Sequence, residues 1–187
     1  TCPISGTGET NTDYCNYCNL YTCGDGICNC GETFNVCPQD CAGEFVFTLD
    51  PGWNLISIPS KKVGDILEDE CGLSSLRFYY YNSSTKSYEE HMIEELEGGK
   101  GYWVYSHLPS SCNFKIGLVG FLTLNDFPEL SKGFNLIGSL NETYPVSSLQ
   151  GCDIQEIHYW DRGWKDAIQL LPGKGYWIKV SSPCKLS

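Results

Sequence analysis

An internal repeat constrains this chain more than any other feature. Gly52-Trp53-Asn54-Leu55-Ile56-Ser57 returns as Gly133-Phe134-Asn135-Leu136-Ile137-Gly138, and Gly99-Lys100-Gly101-Tyr102-Trp103-Val104 returns as Gly173-Lys174-Gly175-Tyr176-Trp177-Ile178. The cysteines keep step: Gly52 to Cys71 and Gly133 to Cys152 are both nineteen residues, and Cys112 and Cys184 each follow the Gly-Lys-Gly-Tyr-Trp element. Self-similarity of this kind means one small unit used twice. The copies differ between cysteine and Gly-Lys-Gly lysine, where the first is longer (29 residues from Cys71 to Lys100 against 22 from Cys152 to Lys174).

The divisions are 1–43, rich in cysteine, then a first repeat over 44–118 and a second over 119–187. Each repeat reads as mainly β. Phe45–Leu49 and Phe121–Leu124 are expected to open the copies as strands, followed by Gly-bounded strands at Asn54–Ile58 and Asn135–Leu140. Val63, Ile66 and Leu67 are spaced as on a helix, which predicts a short helix over Val63–Leu76, with one turn at most at Val146–Gln150. Leu76–Tyr81, Ile157–Trp160, Tyr102–Ser106 and Tyr176–Val180 are the remaining strands. The fold class is thus mainly β: an irregular disulfide-rich N-terminal knot, then two tandem antiparallel modules, each with a short helix.

Units this small bury little apolar surface and need cross-links. The chain has 12 cysteines, a number that points to an oxidising compartment and hence to the cell surface or beyond. Parallel placement predicts Cys71–Cys112 and Cys152–Cys184, with pairing between copies as the competitor. Cys2, Cys15, Cys18, Cys23, Cys28, Cys30, Cys37 and Cys41 are expected to bridge among themselves. Cys15-Asn16-Tyr17-Cys18 also has zinc-ligand spacing, but no histidine occurs in the first 90 residues. Two sequons, at Asn82 and Asn141, fit an extracellular glycoprotein. No leader opens the chain, so Thr1 is expected to follow a processing cut. No run approaches a membrane-spanning length, and none suggests membrane insertion. A net charge of −11 argues against nucleic acid as a partner.

Within the N-terminal segment, Cys23-Gly24-Asp25-Gly26-Ile27-Cys28 and Cys37-Pro38-Gln39-Asp40-Cys41 set carboxylates on tight glycine-flanked turns. Asp25, Asn29, Glu32 and Asp40 are the candidate ligands for a hard, oxygen-loving cation; the competing reading has these acids simply facing water. The run resembles short cysteine-rich segments of secreted microbial and animal proteins, Cys-Gly-Asp-Gly-x-Cys followed by Cys-Pro-x-Asp-Cys. That resemblance implies bound Ca2+. Cys30 and Phe34 depart from the pattern and leave the bridging within the segment open. The tandem Gly-Trp-Asn-Leu-Ile-Ser and Gly-Lys-Gly-Tyr-Trp units resemble repeat modules of archaeal and bacterial secreted and cell-surface proteins. The resemblance implies spacers, adhesion units or envelope parts, with no catalytic residues.

Gly-Lys-Gly lacks the upstream glycine and the following Ser or Thr of a phosphate loop, so it reads as a turn. Trp53, Phe134, Trp103 and Trp177 recur at matched positions and read as core. Tyr79, Tyr80, Tyr81, Tyr88, Trp160 and Trp164 are unmatched and read as surface, Trp160 and Trp164 being the candidate ligand-binding residues. Alternation puts Tyr80 on the opposite face from Tyr79 and Tyr81. Catalytic motifs are missing, His91, His107 and His158 do not recur, and the Glu89–Glu97 acids read as a solvated face. The expectation is a non-catalytic structural subunit of a cell-surface layer, appendage or filament, whose partners are its own copies or other cell-envelope proteins. The alternative is a carbohydrate-binding or adhesion module that takes glycans.

Overall fold

Alternating side chains fix the first sheet. Residues 43–187 are described by a computed structural model. The proposed cation ligands Asp25, Asn29, Glu32 and Asp40, and the cysteines from Cys2 to Cys41, lie outside the described residues. The first repeat runs through β1 (Glu44–Leu49), β2 (Gly52–Ser57), β3 (Lys62–Asp69), β4 (Phe78–Asn82), β5 (Ser87–His91), β6 (Gly101–Ser106) and β7 (Cys112–Val119). Phe47 and Leu49 on β1 and Cys112, Phe114, Ile116 and Leu118 on β7 all turn to one buried side. The period of two in a strand makes this possible.

Order β1-β7-β3 forms one sheet and β2-β6-β4-β5 a second. Between them lie Phe78, Tyr102, Val104, Leu73 and Ile93, all buried. The second repeat uses β8 (Gly133–Ile137), β9 (Tyr144–Pro145), β10 (Ile154–Trp160), β11 (Trp164–Asp166), β12 (Gln169–Leu170) and β13 (Tyr176–Val180). Its main sheet, β11-β10-β13-β8, covers a separate core around Tyr176, Ile178, Ile137 and Leu170. All strand pairings are antiparallel, and the only helical pieces among the described residues are 3-10 turns.

Both expected disulfides within the repeats are present, Cys71–Cys112 and Cys152–Cys184. Each closes a loop of 41 or 32 residues, stabilising by roughly 4 kcal/mol in the chain-entropy account. The predicted helix over Val63–Leu76 is instead β3 followed by a 3-10 turn at Leu73–Ser75. Two register irregularities in β3, between Val63 and Ile66 and between Ile66 and Glu68, let a three-residue apolar spacing ride on a strand. Gly64 weakens a helix there, and it packs tightly on β7: a Cβ would lie 2.9 Å from the Gly117 carbonyl oxygen. Phe121–Leu124 forms no strand either. Leu124–Asp126 is a 3-10 turn, its start held by Asp126, which accepts from the Thr123 amide and hydroxyl at 2.8 Å each.

The repeated motifs now have physical meanings. Asn54 and Asn135 hold the turn ahead of β2 and β8 in the same way. Each side-chain carbonyl accepts from the amide four residues back (Asp50 2.9 Å, Ser131 2.8 Å), and each side-chain amide donates to two turn carbonyls. Tyr102 and Tyr176 are fully buried, and each hydroxyl accepts an amide five residues upstream, from Glu97 at 3.0 Å and Leu171 at 2.6 Å. The Gly-Lys-Gly turn crosses to the other copy. Lys100 bridges Ile137 and Lys174 bridges Ile56. The Ser57 amide donates to Gly173 at 3.0 Å, and the Gly138 amide to Gly99 at 2.8 Å. Contacts that swap in this fashion have the reciprocity of a two-fold interface.

Glycine is required at the crossing. A Cβ on Gly101 would lie 2.5 Å from the Ile137 oxygen, and one on Gly175 2.8 Å from the Ile56 oxygen. Buried Ser57 and Ser139 face each other at 2.9 Å on the same seam, and Ser57 also donates to the Lys174 carbonyl. Both buried hydroxyls are thus hydrogen-bonded, and the Ser139 amide also donates to Ser57 at 3.0 Å.

Candidate functional site

Each four-stranded sheet has a core face and a second face, and strand alternation loads the second face with aromatics. In the first repeat Tyr102 and Val104 point into the core, so Trp103 points away; on β4 Phe78 and Tyr80 point inward, so Tyr79 and Tyr81 point away. In the second repeat Tyr176 and Ile178 point inward and Trp177 away. The expectation that Trp53, Phe134, Trp103 and Trp177 are core is therefore corrected. Trp53 and Phe134 are 49% and 44% exposed, and Trp103 and Trp177 are half-buried. Both copies need these rings for a shared surface, with Tyr102 and Tyr176 as the core anchors beside them.

Register makes further equivalences that the linear sequence hides. Tyr79 and His158 sit opposite Trp103 and Trp177, while Tyr81 pairs Tyr88 as Trp160 pairs Trp164. The aromatics taken as unmatched are thus matched. Their hairpins differ in length, four residues between β4 and β5 but three between β10 and β11, which breaks any alignment drawn along the chain. Tyr79 lies 24 residues before Trp103 but His158 only 19 before Trp177, so no count along the chain aligns the pairs and only the strand register does.

The two aromatic faces meet between the repeats. Trp103 lies edge-on to Trp160 (5.6 Å between centroids) and Trp164 (5.7 Å), and reciprocally Trp177 lies against Tyr81 (5.0 Å). Within each repeat Trp53–Trp103 and Phe134–Trp177 are both near-perpendicular at 6.0 Å. The Trp160 indole N–H donates to the Trp53 carbonyl at 3.0 Å, tying one half to the other. A cleft of about 520 Å³ is walled wholly by Trp53, Tyr79, Tyr88, Trp103, Trp160 and Trp164. A second, of about 680 Å³, shares Tyr88, Trp103 and Trp164 with it and continues past Tyr81, Phe134, His158 and Trp177. Tyr88 and Trp164 remain 54% and 51% exposed.

Charged pairs border this apolar floor. Glu90 stands opposite Tyr79 and pairs with Arg77 at 3.3 Å. His158 faces Asp166 at 2.9 Å and Glu156 at 3.3 Å, and Lys179 reaches Glu156 at 2.7 Å while lying 5.4 Å from the Phe134 ring centre. The Lys179 and His158 hydrogen bonds hold the Glu156 carboxyl below its ordinary value, so it is ionised at neutral pH. Asp161 is held low by Lys165 in the same way.

The other sequence candidates lie elsewhere. Asn82 closes β4, and its side chain is engaged both ways, donating to Glu89 at 2.8 Å and accepting from Ser84 at 3.0 Å. Asn141 is exposed in the connection after β8. Four glutamates of the acidic run have local partners: Glu89 takes Asn82, Glu90 takes Arg77, Glu95 takes the Met92 amide and Glu97 takes Lys100. Among the described residues no group of His, Cys, Asp or Glu could hold a metal ion, and no helix is long and apolar enough to cross a membrane. Comparison of the chain with known protein families, curated proteins and solved structures finds no match.

Proposed function

We propose that this chain is an extracellular, non-catalytic carbohydrate-binding module of a cell-surface protein, with the ligand seated in the aromatic cleft between its repeats. The observation that carries the proposal is the continuous wall of half-exposed rings drawn from both repeats. Leaving that much aromatic surface in water is unfavourable, and a contiguous apolar patch of this kind marks a binding surface. Flat rings accept the C–H face of a pyranose, while the ionised pairs at the border offer acceptors and donors to its hydroxyls. Trp160 and Trp164 are the principal contact residues. Trp164 is exposed enough to be removed without opening a core, so Trp164→Ala should abolish glycan-array binding and leave the melting temperature unchanged. Unaltered array binding by that variant would contradict the assignment.

A second reading is favoured by the reciprocal crossing, which joins the repeats through backbone hydrogen bonds. On this reading the chain is a rigid structural subunit of a cell-surface layer, appendage or filament. Copies of itself or other envelope proteins are the partners, Asn141 carries glycan, and Ca2+ on the N-terminal acids stiffens the connection. Negative-stain images of native material should then contain ordered assemblies that a chelator disperses. Monodisperse particles with and without chelator would remove this reading.

A further inference from the structure

Resting on the carbohydrate reading, we infer that the ligand is an uncharged polysaccharide that lies along both cavities and is held by both repeats at once, rather than a terminal sugar held by one. Three observations carry this. First, the cavities are contiguous. Tyr88, Trp103 and Trp164 wall both, so a ligand stacked in one is already at the threshold of the other. Second, the walls are reciprocal. Trp103 with Trp160 on one side, and Trp177 with Tyr81 on the other, give one kind of surface twice, which suits a ligand made of repeating units.

Third, the charges select against polyanions. The cations at the border are already neutralised: Arg77 by Glu90 and Lys179 by Glu156. The chain as a whole carries −11, a field that repels uronate or sulfate chains. What remains is apolar ring surface bounded by satisfied ion pairs, a match for neutral hydroxyl-bearing rings.

The test is calorimetric titration of the full chain with cello-, xylo- and manno-oligosaccharides from two to six units, with polygalacturonate alongside. For the series that binds, the hexasaccharide should exceed the disaccharide in affinity by roughly tenfold, since two further stacked rings contribute about that much. Tyr79→Ala touches only the first cavity and Phe134→Ala only the second, and each should cut hexasaccharide affinity roughly fivefold. Polygalacturonate should bind at least tenfold more weakly than the neutral hexasaccharide, roughly the cost of one unpaired charge contact. Affinity independent of length, or an effect of only one of the two variants, would overturn the spanning ligand while leaving carbohydrate binding intact. Equal affinity for polygalacturonate would overturn its neutrality. Absence of binding to every neutral glycan, or capture of a proline-rich peptide instead, would overturn both this inference and the reading beneath it.

Discussion

Tyr102 and Tyr176 illustrate how one side chain can serve two ends, filling the core and fixing the position of its neighbour. Each phenol ring is buried and each hydroxyl is committed to a backbone amide, so the next residue, Trp103 or Trp177, is aimed at the cleft with little freedom. Burial raises both phenols, Tyr176 to about 12 from an ordinary value of 10.0 and Tyr102 higher still. A raised pKa in the folded state means that the native form holds its proton where the unfolded chain has lost it. The contribution is complete below pH 10 and falls away as pH climbs from 10 through 12. The protein should therefore keep a constant melting temperature from neutral pH to about pH 10 and lose it steeply above that, as followed by circular dichroism. A flat profile to pH 12 would mean that these hydroxyls meet water. Asn54 and Asn135 belong to the same class of residue: their place in the motif reflects turn-holding, not ligand contact.

At the level of elements, the crossing of the Gly-Lys-Gly turns explains why the motif is repeated so faithfully. Ala at Gly175 would drive its Cβ into the Ile56 carbonyl, and the seam must then part or the strands shift. Gly175→Ala should cost about 2 kcal/mol in urea unfolding and weaken protection of the Ser57 and Gly138 amides against hydrogen exchange. A stability within 0.5 kcal/mol of the parent, roughly the scatter of a surface substitution, would contradict the crossing. The strands were legible where alternation is strict, as in β1, β6 and β13. They were not legible in β3, where bulges give Val63, Ile66 and Leu67 a helical spacing, nor at Leu124–Asp126, where an acid-capped turn replaces a strand. At β3 the deciding partner is distant in sequence, whereas at Leu124–Asp126 it is local, the Asp126 carboxylate accepting from Thr123. β7 claims β3, and only a single bridge, Leu130 to Cys184, takes the place of a longer ladder in the second repeat.

For the molecule as a whole, the repeat, the two disulfides and the β class are legible in the chain itself, because matched hexapeptides and cysteines in the same order need no tertiary information. The site was legible only in part. The chain alone marks Trp160 and Trp164 as surface rings but points Trp53, Trp103, Phe134 and Trp177 to the core, because recurrence in both copies has two physical sources that sequence does not separate. A residue recurs because each unit needs it inside, or because two units build one surface together. The central claim is the second of these, and all five tryptophans of the chain stand in the cleft, which gives a direct reading of it. Indole N–H resonances of nitrogen-15-labelled protein, followed during titration with the neutral oligosaccharide that binds best, should shift for Trp53 and Trp103 of the first repeat together with Trp164 and Trp177 of the second. Shifts confined to one repeat, or indoles unmoved at saturating glycan, would contradict a binding surface shared between the two.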